Sequence, residues 1–119
     1  MEYGNIEISD SVLKEIAVKS LADFQGLDIS DPKEAKKLRK AVEIERLDSE
    51  TLSVNVRVAV KFGEVIPEYV KKLQDKLSKD LEALTGMKVA SVNVTVEEVL
   101  LEGAQEYTAV EESKTEGND

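Results

Sequence analysis

The segment from Leu52 to Val96 constrains the fold more than any other part of the chain. Leu52, Val54, Val56, Val58, Val60 and Phe62 alternate with Ser53, Asn55, Arg57, Ala59 and Lys61. A period of two puts the first set on a buried sheet face and the second on a polar one. After a short turn, Pro67 predicts a helix start, because its missing N–H costs nothing in a first turn. Ile66, Val70, Leu73, Leu77, Leu81 and Leu84 then form one apolar helical stripe, which Gly86 ends. A strand from Val89 to Val96 follows, with Val92, Val94 and Val96 on one face and Ser91, Asn93, Thr95 and Glu97 on the other. Strand, helix and strand of these lengths predict a right-handed crossover between parallel strands.

The first half supplies the remaining elements. Asn5-Ile6-Glu7-Ile8 alternates briefly, as an edge strand does. Ser9 caps a helix, Asp10 suits its positive end, and Gly26 stops it. Val12, Leu13, Ile16, Ala17, Leu21 and Phe24 mark its buried face. Asp31-Pro32-Lys33-Glu34 opens a short helix that ends near Arg39 or Lys40. Its only apolar contacts are Ala35 and Leu38, so it reads as a satellite of the core. Val42 and Ile44 alternate with Glu43 and Glu45, and the polar turn Asp48 to Thr51 joins this strand to the next as an antiparallel hairpin.

The expected order is β-α-(short α)-β-β-α-β. The simplest packing is an α/β (α+β) two-layer sandwich: a mixed β-sheet with two main helices on one face. One domain is expected over residues 1–102, with an acidic, disordered tail over 103–119. No internal repeat is read from the sequence.

Composition narrows the function. The 119 residues contain no His, Cys or Trp. That removes the commonest general base near neutral pH, the commonest transition-metal ligand and any thiol chemistry. The net charge of −9 repels nucleic acid and anionic membranes. Met1-Glu2-Tyr3-Gly4 lacks the regions of a signal peptide, and no apolar run reaches membrane-helix length. A cytoplasmic protein with no direct membrane insertion is expected. Gly63 precedes a helix but lacks the spacing and the Lys of a phosphate loop. Glu97 and Glu98, as strand neighbours, point to opposite faces. No nucleophile stands with a base. The expectation is no enzyme activity, no cofactor and no metal.

Three candidate partner surfaces remain. Lys33, Lys36, Lys37, Arg39 and Lys40 form a basic run in an acidic chain. It suits an acidic partner, RNA or anionic lipid, although a solvated helix face is the favoured reading. Asn55, Arg57, Lys61, Asn93 and Thr95 share the polar sheet face, which suits solvent or a second copy. The face has no stacking aromatic, against an RNA role. Val99, Leu100 and Leu101 follow the last strand as an apolar segment that either closes the core edge or docks a partner.

Several of these features occur together in one family. Gly4-Asn5-Ile6-Glu7-Ile8-Ser9, Ile16-Ala17 and Gly26 stand in the first half. Phe62-Gly63, Ile66-Pro67-Glu68, Gln74, Thr85-Gly86 and Val92-Asn93-Val94 stand in the second. Over most of residues 4–101 the chain resembles the Asp23/Gls24 (alkaline shock protein) family of bacterial proteins. The resemblance implies a small, non-enzymatic cytoplasmic protein linked to alkaline or cell-envelope stress. It implies contact with a membrane-anchored envelope protein or a link to fatty-acid synthesis. Many members have a glycine-rich segment where this chain has the Pro32–Lys40 helix.

The leading expectation is therefore an interaction or scaffold protein with a protein partner and homo-oligomeric self-association. A nucleic-acid module is one rival, since the α-β-β-α-β portion resembles KH topology. It lacks the Gly-x-x-Gly loop. A small-molecule or acyl-chain sensor, with a cavity between sheet and helices, is the other.

Overall fold

The computed structural model describes residues 3–101. The expected tail over 103–119 lies outside them, as does the end of the proposed domain at residue 102. The order is α1 (Asp10–Gln25), α2 (Pro32–Ala41), β1 (Val42–Asp48), β2 (Thr51–Lys61), α3 (Ile66–Thr85) and β3 (Lys88–Leu100). The three strands form one mixed sheet in the order β1-β2-β3. β1 and β2 are antiparallel, with Val42 opposite Val56 and Ile44 opposite Val54. β2 and β3 are parallel, with Val54 opposite Val92 and Val58 opposite Val96. This is the expected sandwich, with one exception at its start.

The exception is Asn5–Ile8, which forms no strand. Ile6 is 91% exposed, so the alternation has no face to bury. The Ile8 carbonyl accepts a 2.6 Å bond from the Arg46 guanidinium, which also donates to Asp10 Oδ1 at 2.9 Å. The segment is held by one side chain rather than by a ladder.

The helix ends follow local chemistry. Ser9 Oγ accepts from the Val12 N–H, and Asp31 Oδ1 accepts from the Lys33 N–H. Gly26 and Gly86 close α1 and α3 in the left-handed conformation that Cβ disfavours. α2 is more than a satellite. Leu38 is 6% exposed and joins the core, and Arg39 forks onto Glu15 of α1 at 2.6 and 3.0 Å. That fork holds the Glu15 carboxyl below its ordinary pKa and raises the Arg39 guanidinium.

The core lies between the helices and one sheet face. Leu13, Ala17, Val18 and Leu21 of α1 meet Leu73, Leu77 and Leu81 of α3 over Val42, Leu52, Val54, Val56 and Val60. Phe24 and Tyr69 stack edge to face at 5.1 Å beside it. The predicted stripes are right at their centres and wrong at their ends. Val12, Phe62, Ile66 and Leu84 are exposed, while Val18 and Ala22 are buried in their place on α1. Coverage depends on the neighbouring layer, which period alone does not report.

Two side-chain hydrogen bonds tie α1 to α3: Gln25 Nε2 donates to the Tyr69 hydroxyl at 3.2 Å, and a second bond joins Ser20 to Asp80. The buried Ser20 Oγ donates to Asp80 Oδ2 at 2.6 Å, and Lys76 Nζ reaches the same oxygen at 2.9 Å. The Ser20 bond first, and Lys76 second, hold the Asp80 carboxyl below its ordinary pKa. A depressed folded-state pKa contributes stability above the unfolded-state value, and that stability is lost as pH falls through the folded value. Ser20→Ala is therefore expected to cost about 1 kcal/mol near neutral pH. The cost should shrink as pH falls through the depressed folded-state value of Asp80. Urea unfolding of both chains across that range checks it; a cost independent of pH would show that Ser20 does not act through the Asp80 carboxylate.

Candidate interaction surface

Length mismatch between the layers shapes the molecule's most apolar end. A helix of 20 residues, as α3 is, spans about 30 Å at its rise per residue. A strand of 13 residues, as β3 is, spans about 43 Å. The sheet therefore outruns the helix layer. At the C-terminal end of β2 the parallel pairing continues one residue further, where the Phe62 N–H donates to the Leu100 carbonyl at 2.7 Å. By strand alternation, Val60, Phe62, Val99 and Leu101 all face the helix side. Val60 is covered; Phe62, Val99 and Leu101 are not.

The turn into α3 completes the patch. The Glu64 N–H donates to the Lys61 carbonyl at 3.1 Å, and Gly63 has φ +104°, a conformation open mainly to glycine. Val65 and Ile66 follow, both exposed. Phe62, Val65, Ile66, Val99 and Leu101 make up five of the eleven exposed large apolar side chains among the described residues. Scattered apolar residues need no explanation, but a group at one end is a candidate contact surface. Glu64, Glu68, Glu97 and Glu98, all exposed, flank these residues in the chain, with Lys61 beside Phe62 and Arg57 3.8 Å from Glu97.

The structure places the sequence candidates unevenly. Val99 and Leu100 do not follow the last strand; they belong to β3, opposite Val60 and Lys61. Leu100 is half-buried, so Val99 and Leu101 present the apolar surface. Phe62, Val65 and Ile66 join them, which sequence reasoning assigned to the core or to the turn. The signal was the length of the two strands against that of the helix.

The sheet-face residues come together as a ladder. Asn93 Nδ2 donates to Asn55 Oδ1 at 2.9 Å, and Ser53 and Ser91 hydroxyls meet at 2.9 Å. Arg57 lies opposite Thr95 and donates to the Lys40 carbonyl at 2.6 Å, with Glu97 3.8 Å from its Nε. Lys61 stands further along, beside the apolar end. Sequence reading missed a repeat here. Ser53-Val54-Asn55-Val56-Arg57-Val58 recurs as Ser91-Val92-Asn93-Val94-Thr95-Val96, and the two lie side by side in register. Parallel pairing stacks like on like, so each Asn and Ser satisfies its twin.

The basic run does not act as one group. Arg39 is committed to Glu15, while Lys33, Lys36, Lys37 and Lys40 are exposed and form no ion pair among the described residues. The main grooves lie at layer margins and are lined largely by charged or polar side chains, as between α3 and β3 at Lys71, Lys72, Gln74 and Asp75. Among the described residues no three His, Cys, Asp or Glu side chains converge as a metal site, and no helix is long and apolar enough to cross a membrane.

A family model described as the Asp23 family, with a cell envelope-related function, matches residues 1–101. No solved structure matches this chain.

Proposed function

Because the chain belongs to the Asp23 family, a family with a cell envelope-related function, we propose that it is a non-enzymatic docking protein of the envelope. It works on the cytoplasmic side, in alkaline or envelope stress, and reaches the membrane through a protein partner rather than by insertion. The observation that carries this reading is the uncovered apolar end at Phe62, Val65, Ile66, Val99 and Leu101. An apolar group rimmed by charge is the usual form of a protein contact. Single large side chains at the centre of such contacts supply much of their strength.

The test uses a photo-crosslinking residue placed at Val65 in cells, with Lys79 on exposed α3 as the control position. A product from the envelope fraction at Val65 alone is expected. Phe62→Ser should remove that product while changing stability by less than about 0.5 kcal/mol, since Phe62 is 74% exposed. Identical products from both positions would sink the reading. Self-association is the second reading, favoured by the polar sheet face, over which no second layer lies among the described residues. There, a cross-linker at Thr95 would return a dimer of this chain.

A further inference from the structure

The outer edge of β3 is closed along one half and open along the other. The N–H and C=O of one residue point to the same edge, and the direction alternates along a strand. Three contacts set the phase. The Leu100 carbonyl accepts from Phe62, so Leu100 faces β2. The Val89 N–H donates to Glu82 Oε2 at 2.9 Å, and the Val92 carbonyl accepts from Gln74 Nε2 at 3.0 Å, so both face away from β2. Register shifts at Ala90 and at Glu97 carry the alternation through, and leave Val94, Val96 and Val99 facing outward. Side chains of α3 thus occupy the start of this edge. Among the described residues nothing bonds to the outward groups of Val94, Val96 and Val99.

An open edge is a template for another strand, and proteins commonly block it. Here the blocking stops where the apolar end begins. An incoming strand would set alternate side chains on the two faces of the sheet. On the helix side they would meet Val99, Leu101 and Phe62. On the other side they would meet Glu98, which lies opposite Ala59; the register shift brings Glu97 to this face too, 3.8 Å from Arg57, against the opposite facing expected of strand neighbours, which leaves Glu98 as the acid without an ion-pair partner among the described residues. A second copy fits poorly. Antiparallel pairing of two β3 edges with Glu97 opposite Glu98 sets the acids of both copies against each other, and each chain carries a net charge of −9. The complementary occupant carries apolar residues on one side and positive charge on the other.

We propose that the outer edge of β3 from Asn93 to Leu100 takes up, as a fourth strand, an extended partner segment in which apolar and basic residues alternate. This rests on the apolar end being a docking site and specifies how that site binds and what it selects.

The experiment is residue-resolved hydrogen exchange on the full chain, titrated with the peptide acetyl-Lys-Val-Lys-Val-Lys-Val-amide. The Val94 and Val96 amides are expected to exchange fast alone and to slow by about tenfold or more at saturation. The Asn93 and Thr95 amides, which face β2, should be slow throughout. Val99→Pro removes an outward N–H, which an edge strand tolerates, and should abolish the slowing. Glu98→Lys, at an exposed position, should weaken it without touching the ladder. No slowing at Val94 and Val96 overturns the proposal, as does equal slowing by the Glu-for-Lys peptide. Slowing that grows with protein concentration alone assigns the edge to a second copy and overturns it. Val94 and Val96 amides already slow in the full chain, and freed by truncation after Glu102, assign the edge to the chain's own tail and also overturn it. If the edge fails while the Val65 cross-link persists, docking stands and strand addition does not.

Discussion

Leu77→Ala is expected to destabilise the protein by about 3–5 kcal/mol. Leu77 is fully buried at the middle of the α3 stripe, between Leu73 and Leu81. Helix α3 packs on both α1 and β3, so a void there is lined by two layers that cannot both collapse into it. Set against a total stability of about 5–15 kcal/mol, the loss brings a small domain close to its unfolding threshold. Urea unfolding with an unchanged slope checks it. Leu84→Ala is the control. It belongs to the same stripe in the sequence, yet it is 70% exposed and should cost less than about 0.5 kcal/mol. Equal losses at both positions would mean that α3 does not sit as described.

Val54→Asp is the second large effect, expected to exceed about 4 kcal/mol and leave little folded chain at room temperature. Val54 is fully buried in the central strand, opposite Ile44 on one side and Val92 on the other. No described base or donor faces that position, so the carboxyl would enter the core unpaired. One residue away, Asn55→Thr should cost only about 0.5–1.5 kcal/mol, the worth of its 2.9 Å bond from Asn93. Circular dichroism melts of the two variants separate the faces. Comparable melting temperatures would contradict the strand's orientation.

The central element pattern was legible because its causes are local. The alternation from Leu52 to Val60 reports the pleat of one strand, and the whole of it is buried as expected. Ser9 and Asp31 cap helices, and Gly26 and Gly86 end them, through groups a few residues apart. The failures share a different cause. Asn5–Ile8 alternates as well as Val42–Ile44 does, but only the latter finds a pairing strand. Phe62 continues the apolar set of β2, and Leu84 that of α3, yet no layer covers either.

The candidate site was legible only in part for the same reason. Val99 and Leu101 stood out as an apolar run. Phe62, Val65 and Ile66 did not, because each has a conventional explanation within its own element. The repeat of Ser53–Val58 at Ser91–Val96 was visible as letters, but its meaning depends on two strands 38 residues apart lying parallel and in register.

By itself, then, the sequence determined the kinds of element from α1 onward, their order, their caps and the face each turns inward, since dihedral preference and side-chain period act over a few residues. It also excluded chemistry that needs His or Cys. The tertiary structure alone decided which apolar positions remain uncovered and which strand edge remains open. Those depend on how far a strand at about 3.3 Å per residue outreaches a helix at about 1.5 Å per residue laid across it. The element lengths stand in the sequence, but which end is left uncovered depends on how the two layers overlie each other, which is set only once they are in contact.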